Sequence, residues 1–334
     1  MDNSMNNGAA YNNSNNEGGR IIMTNRTIKT MEAFAGTVKS IMEAVYGDGY
    51  SVSIQDTAKN NGTHMTGISI RRKGSNIAPT IYLEDFFTAY QDGMDMEEAC
   101  SKLMDIYEKN KTAMDFDSSI LTDFNQAKGR ICFKLVNAHK NAELLGEIPY
   151  FLYHDLAIVF YVLVEKGAQG AGTMLVRNHF LDMWGVDAET VYAFAMENTP
   201  RILRGSIQSM GSVISEIMGQ VLDEEDSKEY CDLPAVAEDA VPMYVASNCD
   251  RFNGASVFLY PNLLKEFAEN IGGNFYILPS SVHELIFVPE SEYTDIGYMK
   301  MMVQEINASE VRDEEVLSDN IYFYDRAYDR VVLL

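Results

Sequence analysis

The sequence predicts an α+β fold in which helices pack on an antiparallel or mixed sheet, and three observations carry that reading. Stretches of period-two apolar alternation recur along the chain and are joined by short polar links, too short for the crossovers that parallel strands require. Amphipathic stretches with apolar residues three and four apart lie between them. The clearest strand pair, Asn274 to Pro289, is apolar on both faces: Phe275 and Ile277 stand opposite Tyr276 and Leu278, and Leu285 and Phe287 opposite Ile286 and Val288. A pair apolar on both faces belongs in the middle of a sheet.

Residues 1–30 form an Asn-rich stretch with almost nothing to bury and are expected to be a disordered tail. An N-terminal α+β region is expected over 31–148. It opens with a helix from Met31 whose stripe is Phe34, Val38, Ile41 and Val45, stopped at Gly47. Tyr50, Val52 and Ile54 start a hairpin that turns at Asn60-Asn61-Gly62 and returns through Met65 to Ile70. Asp95, with Glu98 three residues on, caps a helix whose buried stripe is Met96, Ala99, Leu103 and Ile106. A strand is expected from Lys128 to Val136, and a short helix through Ala142 and Leu145 closed by Gly146.

The remainder, 149–334, reads as a C-terminal α+β domain. Leu156 to Val164 is a buried strand, Gly170-Ala171-Gly172 a turn, and Thr173 to Val176 the return. Asp187 and Ser209 are placed to cap helices, and Thr294 another that buries Ile296, Met299, Val303 and Ile306. Tyr161-Val162, Gly170-Ala171, Leu175 and Asn178 are echoed by Tyr244-Val245, Gly254-Ala255, Leu259 and Asn262. The echo predicts an internal duplication of two similar strand-turn-strand-helix units.

The formal charge is −23, divided as −4 over residues 1–150 (15 basic, 19 acidic) and −19 over 151–334 (11 basic, 30 acidic). Such a balance repels phosphate backbones, so direct nucleic-acid binding is not expected. No run has the apolar length of a membrane span, no secretory leader is evident, and the four cysteines form no paired motif. The expectation is a cytoplasmic protein with reduced thiols and no membrane partner.

Functional candidates centre on the polar link Pro279-Ser280-Ser281-Val282-His283-Glu284, which interrupts the most apolar hairpin. Ser281 as nucleophile, His283 as base and Glu284 or Asp250 as orienter would make a hydrolase-type site. In an extended strand, however, residues two apart stand roughly 6.5–7 Å from each other, so the pair would need a turn. The other reading gives both serines to backbone groups and His283 and Glu284 to neighbouring strands. Ser280, Asn248 and Gly254 are candidate ligand-binding residues. The five histidines are scattered without metal-ligand spacing, and no dinucleotide fingerprint occurs, so neither a metal nor any other cofactor is expected.

Several segments, in order and at similar spacing over roughly residues 31–330, together resemble one known family. They are Asn60-Asn61-Gly62, Pro79 to Glu84, Lys134 to Asn137, Asp155 to Val159, Met243 to Val245 with Asn248 and Gly254-Ala255, Ile277 to Glu284, and Met302 to Asn307. The family is the uncharacterised bacterial one designated domain of unknown function 5688. Its members usually read Tyr-Val-Leu-Thr-Asn where this chain has Tyr244-Val245-Ala246-Ser247-Asn248. The resemblance implies a bacterial or bacteriophage source and no particular activity, cofactor or partner. Three functions stay open: a binding protein for a protein or small-molecule partner, a hydrolase at residues 279–284, and an acidic decoy that mimics nucleic acid.

Overall fold

The computed structural model describes residues 28–75, 78–111, 119–167, 170–221 and 241–334. Almost all of the tail expected over 1–30 lies outside them.

The first layer is built from α1 (Met31–Tyr46), β1 (Tyr50–Ala58), β2 (His64–Arg72), β3 (Thr80–Tyr82), α2 (Glu84–Gln91) and α3 (Met96–Asn110). Thr30 caps α1 by accepting the N–H of Ala33, and Asp95 caps α3 by accepting that of Glu98. The strands form an antiparallel sheet in the order β1–β2–β3. Phe34, Val38 and Met42 of α1, spaced by four, pack on Val52, Ile68, Ile70 and Ile81 of the sheet and on Ala99, Leu103 and Tyr107 of α3. The i, i+4 row runs through Met42 rather than Val45, which is 55% exposed, so the predicted stripe is rotated at its end.

After α4 (Ser119–Thr122) and α5 (Phe124–Ala127) come β4 (Ile131–Asn137), α6 (Ala142–Leu145), β5 (Tyr150–Tyr153), β6 (Leu156–Gly167) and β7 (Gly170–Leu175). β4 pairs with one edge of β6, while β5 and β7 share the other, one after the other along it. The division expected at 148/149 falls inside this sheet. The change of core lies earlier: Tyr107 belongs to the first layer, and Ile120 already packs with β4 and β6.

The rest of the chain adds α7 (Asn178–Trp184), α8 (Ala188–Ile202), β8 (Gly205–Ser209), α9 (Met210–Val221), β9 (Tyr244–Asn248) and α10 (Leu263–Ile271). It ends with β10 (Phe275–Ser281), β11 (Glu284–Pro289), α11 (Ile296–Ser309), β12 (Tyr322–Asp325) and β13 (Arg330–Leu333). The second large sheet runs β13–β12–β10–β11–β9–β8 and is antiparallel at every pairing. The β10–β11 hairpin thus sits in the middle, as its two apolar faces require. Phe275, Ile277, Leu285 and Phe287 share one core with Phe133, Leu135, Ile158 and Phe160 of the other sheet, and Tyr276, Leu278 and Val288 pack under Met299 and Val303 of α11. Asp295, not Thr294, caps α11 by accepting the N–H of Tyr298; Thr294 instead folds back on Ser291.

The duplication expected between 160–183 and 243–267 is met by strand, strand and helix only in its first copy. In the second, the segment aligned with β7 is a 3-10 helix, Gly254–Leu259, lying against β4, β9 and β11. Gly170, Ala171 and Gly172, expected as a turn, are the first residues of β7.

Candidate functional site

The 279–284 link is a tight hairpin end whose polar groups largely satisfy one another. Ser281 Oγ accepts the backbone N–H of His283 at 3.0 Å, and Ser280 Oγ donates to Glu284 Oε1 at 3.2 Å. The backbone is held from both sides: Val282 N–H donates to Glu315 O at 2.8 Å, Ala255 N–H to Val282 O at 3.2 Å, and Ser247 Oγ to His283 O at 2.7 Å.

The His283 ring faces away from the serines. Its Nδ1 accepts the N–H of Asn253 at 3.2 Å, which places the ring proton on Nε2, and Nε2 lies 3.8 Å from Glu315 Oε1. The acid that addresses the imidazole is therefore Glu315, rather than Glu284 or Asp250. Among the hydrogen bonds of the described residues, none joins Ser281 Oγ to the ring. The structure brings Ser280, Ser281, His283 and Glu284 together at one hairpin end, and it gives the serines and Glu284 to that hairpin.

Asn248 and Gly254 sit beneath this link. Asn248, almost fully buried, closes the loop that follows β9: its Oδ1 accepts the N–H groups of Asp250 and Phe252, and its Nδ2 donates to Phe252 O at 2.8 Å. A Cβ on Gly254 would stand 2.0 Å from Ser247 Oγ and 2.2 Å from His283 O. Only a glycine lets the 3-10 segment approach the hairpin this closely.

Beyond His283 opens a cavity of about 290 Å3, lined by Lys59, Asn60, Met65, Tyr82, Lys134, Asn253, Val282, His283, Arg312, Glu314 and Glu315. It lies where the tip of the β1–β2 hairpin meets the 3-10 turn at Asp313–Glu315. The junction is pinned by side-chain amides. Asn60 Nδ2 donates to Glu314 O at 2.8 Å; Asn61 Nδ2 donates to Asp313 O and Val316 O, each at 2.7 Å; and Asn61 exchanges two bonds with Asn141, both 2.8 Å. Asn61 holds φ +61°, a left-handed conformation that asparagine tolerates. Asn60 Oδ1 is left buried with no hydrogen-bond partner.

The chemistry of the cavity is set by its lysines. Lys134 lies on β4 between the fully buried Phe133 and Leu135, and what remains exposed of it opens on the cavity. Burial pushes its ammonium pKa down, and the charge of Lys59 pushes it the same way. No carboxylate among the described residues forms an ion pair with it. Lys59 Nζ stands 3.7 Å over the Tyr82 ring, and the Arg312 guanidinium holds Asp85 at 3.0 and 3.2 Å.

Two roomier hollows offer less. The one of about 470 Å3 between β8 and α10 has Glu266 as its single charged wall. The one of about 420 Å3 beside His154 has Lys265, Asp329 and Arg330 on its walls; Asp329 accepts from the Tyr324 hydroxyl, and Arg330 lies over the Tyr328 ring and 4.0 Å from Asp325. Among the described residues no cluster of His, Cys, Asp or Glu is arranged to hold a metal ion.

Of the residues that line this cavity, sequence reasoning singled out His283 as a candidate and not Lys59, Lys134, Asn253 or Glu315. One signal pointed to Lys134: it is the single charge in Ile131 to Val136, a strand otherwise apolar on both faces.

The fold and cavity define a class: an α+β protein of three antiparallel sheets with a polar, lysine-containing hollow where its N-terminal layer meets the larger sheets. The chain belongs to the family of unknown function DUF5688, whose model matches residues 31–326, nearly its whole length. No curated protein and no solved structure matches it. None of its helices, among the described residues, is long and apolar enough to cross a membrane.

Proposed function

We propose that the chain is an intracellular binding protein and that the cavity between Lys59, Lys134 and His283 is where a small polar molecule is held. The observation that carries this reading is Lys134. An ammonium set in the middle of an apolar strand without a counter-ion costs stability, and such groups concentrate at functional sites. The walls come from parts of the chain far apart in sequence, around residues 59–82, 134, 253, 283 and 312–315, as is usual for pockets at the junction of two layers. Cys100, Cys132 and Cys249 are all free thiols, which supports a reducing compartment.

The test is ligand-induced stabilisation. Among metabolite-sized polar compounds, at least one class is expected to raise the melting temperature of the parent protein and to lose that effect in Lys134→Met. A rise that survives the substitution would place the site elsewhere.

A further inference from the structure

Within the cavity the charges are unequally matched. Arg312 enters the cavity countered by Asp85, while Glu315 has the His283 Nε2 3.8 Å away and keeps its charge. Lys59 rests on an aromatic face, which weakly stabilises a cation without neutralising it. Lys134 forms no ion pair with a carboxylate among the described residues, and the charge of Lys59 works against its own. Two lysines and two glutamates, Glu314 and Glu315, thus line one hollow, and neither lysine forms an ion pair with a carboxylate among the described residues.

From this arrangement we propose that the ligand is a small carboxylate that also carries an amino or hydroxyl group, its carboxylate lying between Lys134 and Lys59 and its N–H or O–H donor turned toward Glu315. The inference rests on the reading of this cavity as the ligand site. A carboxylate in that position screens the repulsion between the two lysines and gives Lys134 the counter-ion it lacks, through charge-assisted hydrogen bonds. A second negative charge is disfavoured, because Glu314 and Glu315 also line the cavity and the chain as a whole carries −23. A phosphate dianion is therefore matched less well than a singly charged carboxylate. The glutamates instead suit a donor on the atom next to the carboxylate, the arrangement found in α-amino and α-hydroxy acids.

The experiment titrates the full-length, isotope-labelled protein with glycine, glycolate, acetate, inorganic phosphate and glucose in turn, following backbone amide resonances. Glycine or glycolate is expected to shift Asn253, His283 and Glu315, and to bind more tightly than acetate. Lys134→Met should weaken that binding by about ten- to hundred-fold, the usual loss of a hydrogen bond to a charged group. Lys265→Met, on the wall of a different hollow, should leave it unchanged. Retained affinity in Lys134→Met would overturn the assignment of the carboxylate to that lysine. Shifts at the same amides with phosphate or glucose alone would overturn the ligand class and leave the cavity a ligand site. No shift at these amides with any of the five would remove both.

Discussion

The hydroxyl of Tyr322 on β12 donates to the Asp155 carboxylate at 2.6 Å, tying the six-stranded sheet to the tight turn between β5 and β6. Ser318 Oγ and Asn320 Nδ2 complete the cradle at 2.5 and 3.0 Å. Burial by itself would raise the Asp155 pKa, but the three side-chain hydrogen bonds, with one from its own backbone N–H, outweigh it and hold the carboxyl below its ordinary value.

A carboxyl whose pKa is lower folded than unfolded stabilises the protein above the ordinary carboxylate range and loses that contribution as pH falls through the folded value. Asp155→Asn is expected to cost about 2 kcal/mol near pH 7, discounted because the group is partly open to solvent. The difference from the parent should shrink toward about pH 3. Urea denaturation at both pH values measures it, and an equal gap at the two would mean that the charge is not the source.

Gly254→Ala places a methyl against Ser247 Oγ and the His283 carbonyl. The expected loss is about 3 kcal/mol, at the upper end of what overpacking usually costs. Adding Ser247→Ala should restore little, since the closer constraint that remains is backbone. Recovery to parental stability in the double variant, by thermal unfolding, would contradict this.

Lys134→Met has the opposite sign. Removing a half-buried charge that lacks a partner is expected to stabilise the free protein, by about 1–2 kcal/mol. Because burial lowers the lysine's pKa in the folded state, the parent is penalised most while Lys134 must carry its proton. The penalty fades as pH rises from the folded value toward the ordinary lysine range. The advantage of the variant should therefore narrow in alkaline buffer. A variant less stable than the parent at neutral pH would mean that Lys134 contributes to folding.

Ser281→Ala removes one acceptor of a backbone N–H and should cost about 1 kcal/mol. Titration of the variant with glycolate should give the parental affinity, because Ser281 is not part of the cavity wall. Any hydrolytic activity found in the parent and abolished in this variant would restore the serine as nucleophile.

The elements read best from sequence were those with strict local periodicity. The central hairpin was legible because each face repeats every second residue from Phe275 to Val288, and the caps at Asp95 and Asp187 because each serves an N–H only three residues away. The second unit of the supposed repeat misled because Gly254 and Ala255 are small for close approach to the hairpin, a requirement that leaves the same letters as a turn. The cavity was hidden for a different reason. Its residues lie at 59, 134, 253, 283 and 315, brought together by sheet pairings that no local window contains.

The amide latch also bears on how the protein is made. Asn60 and Asn61 find their partners at residues 313–316, roughly 250 positions downstream. During synthesis at about 5–20 residues per second, the first layer can fold on the ribosome and must then wait at least about twelve seconds for the segment it grips. Through that interval Lys59 and Lys134 lack the wall formed by Arg312, Glu314 and Glu315. The pocket is thus among the last features of the molecule to close, and a nascent chain stalled before residue 312 would carry both lysines without it.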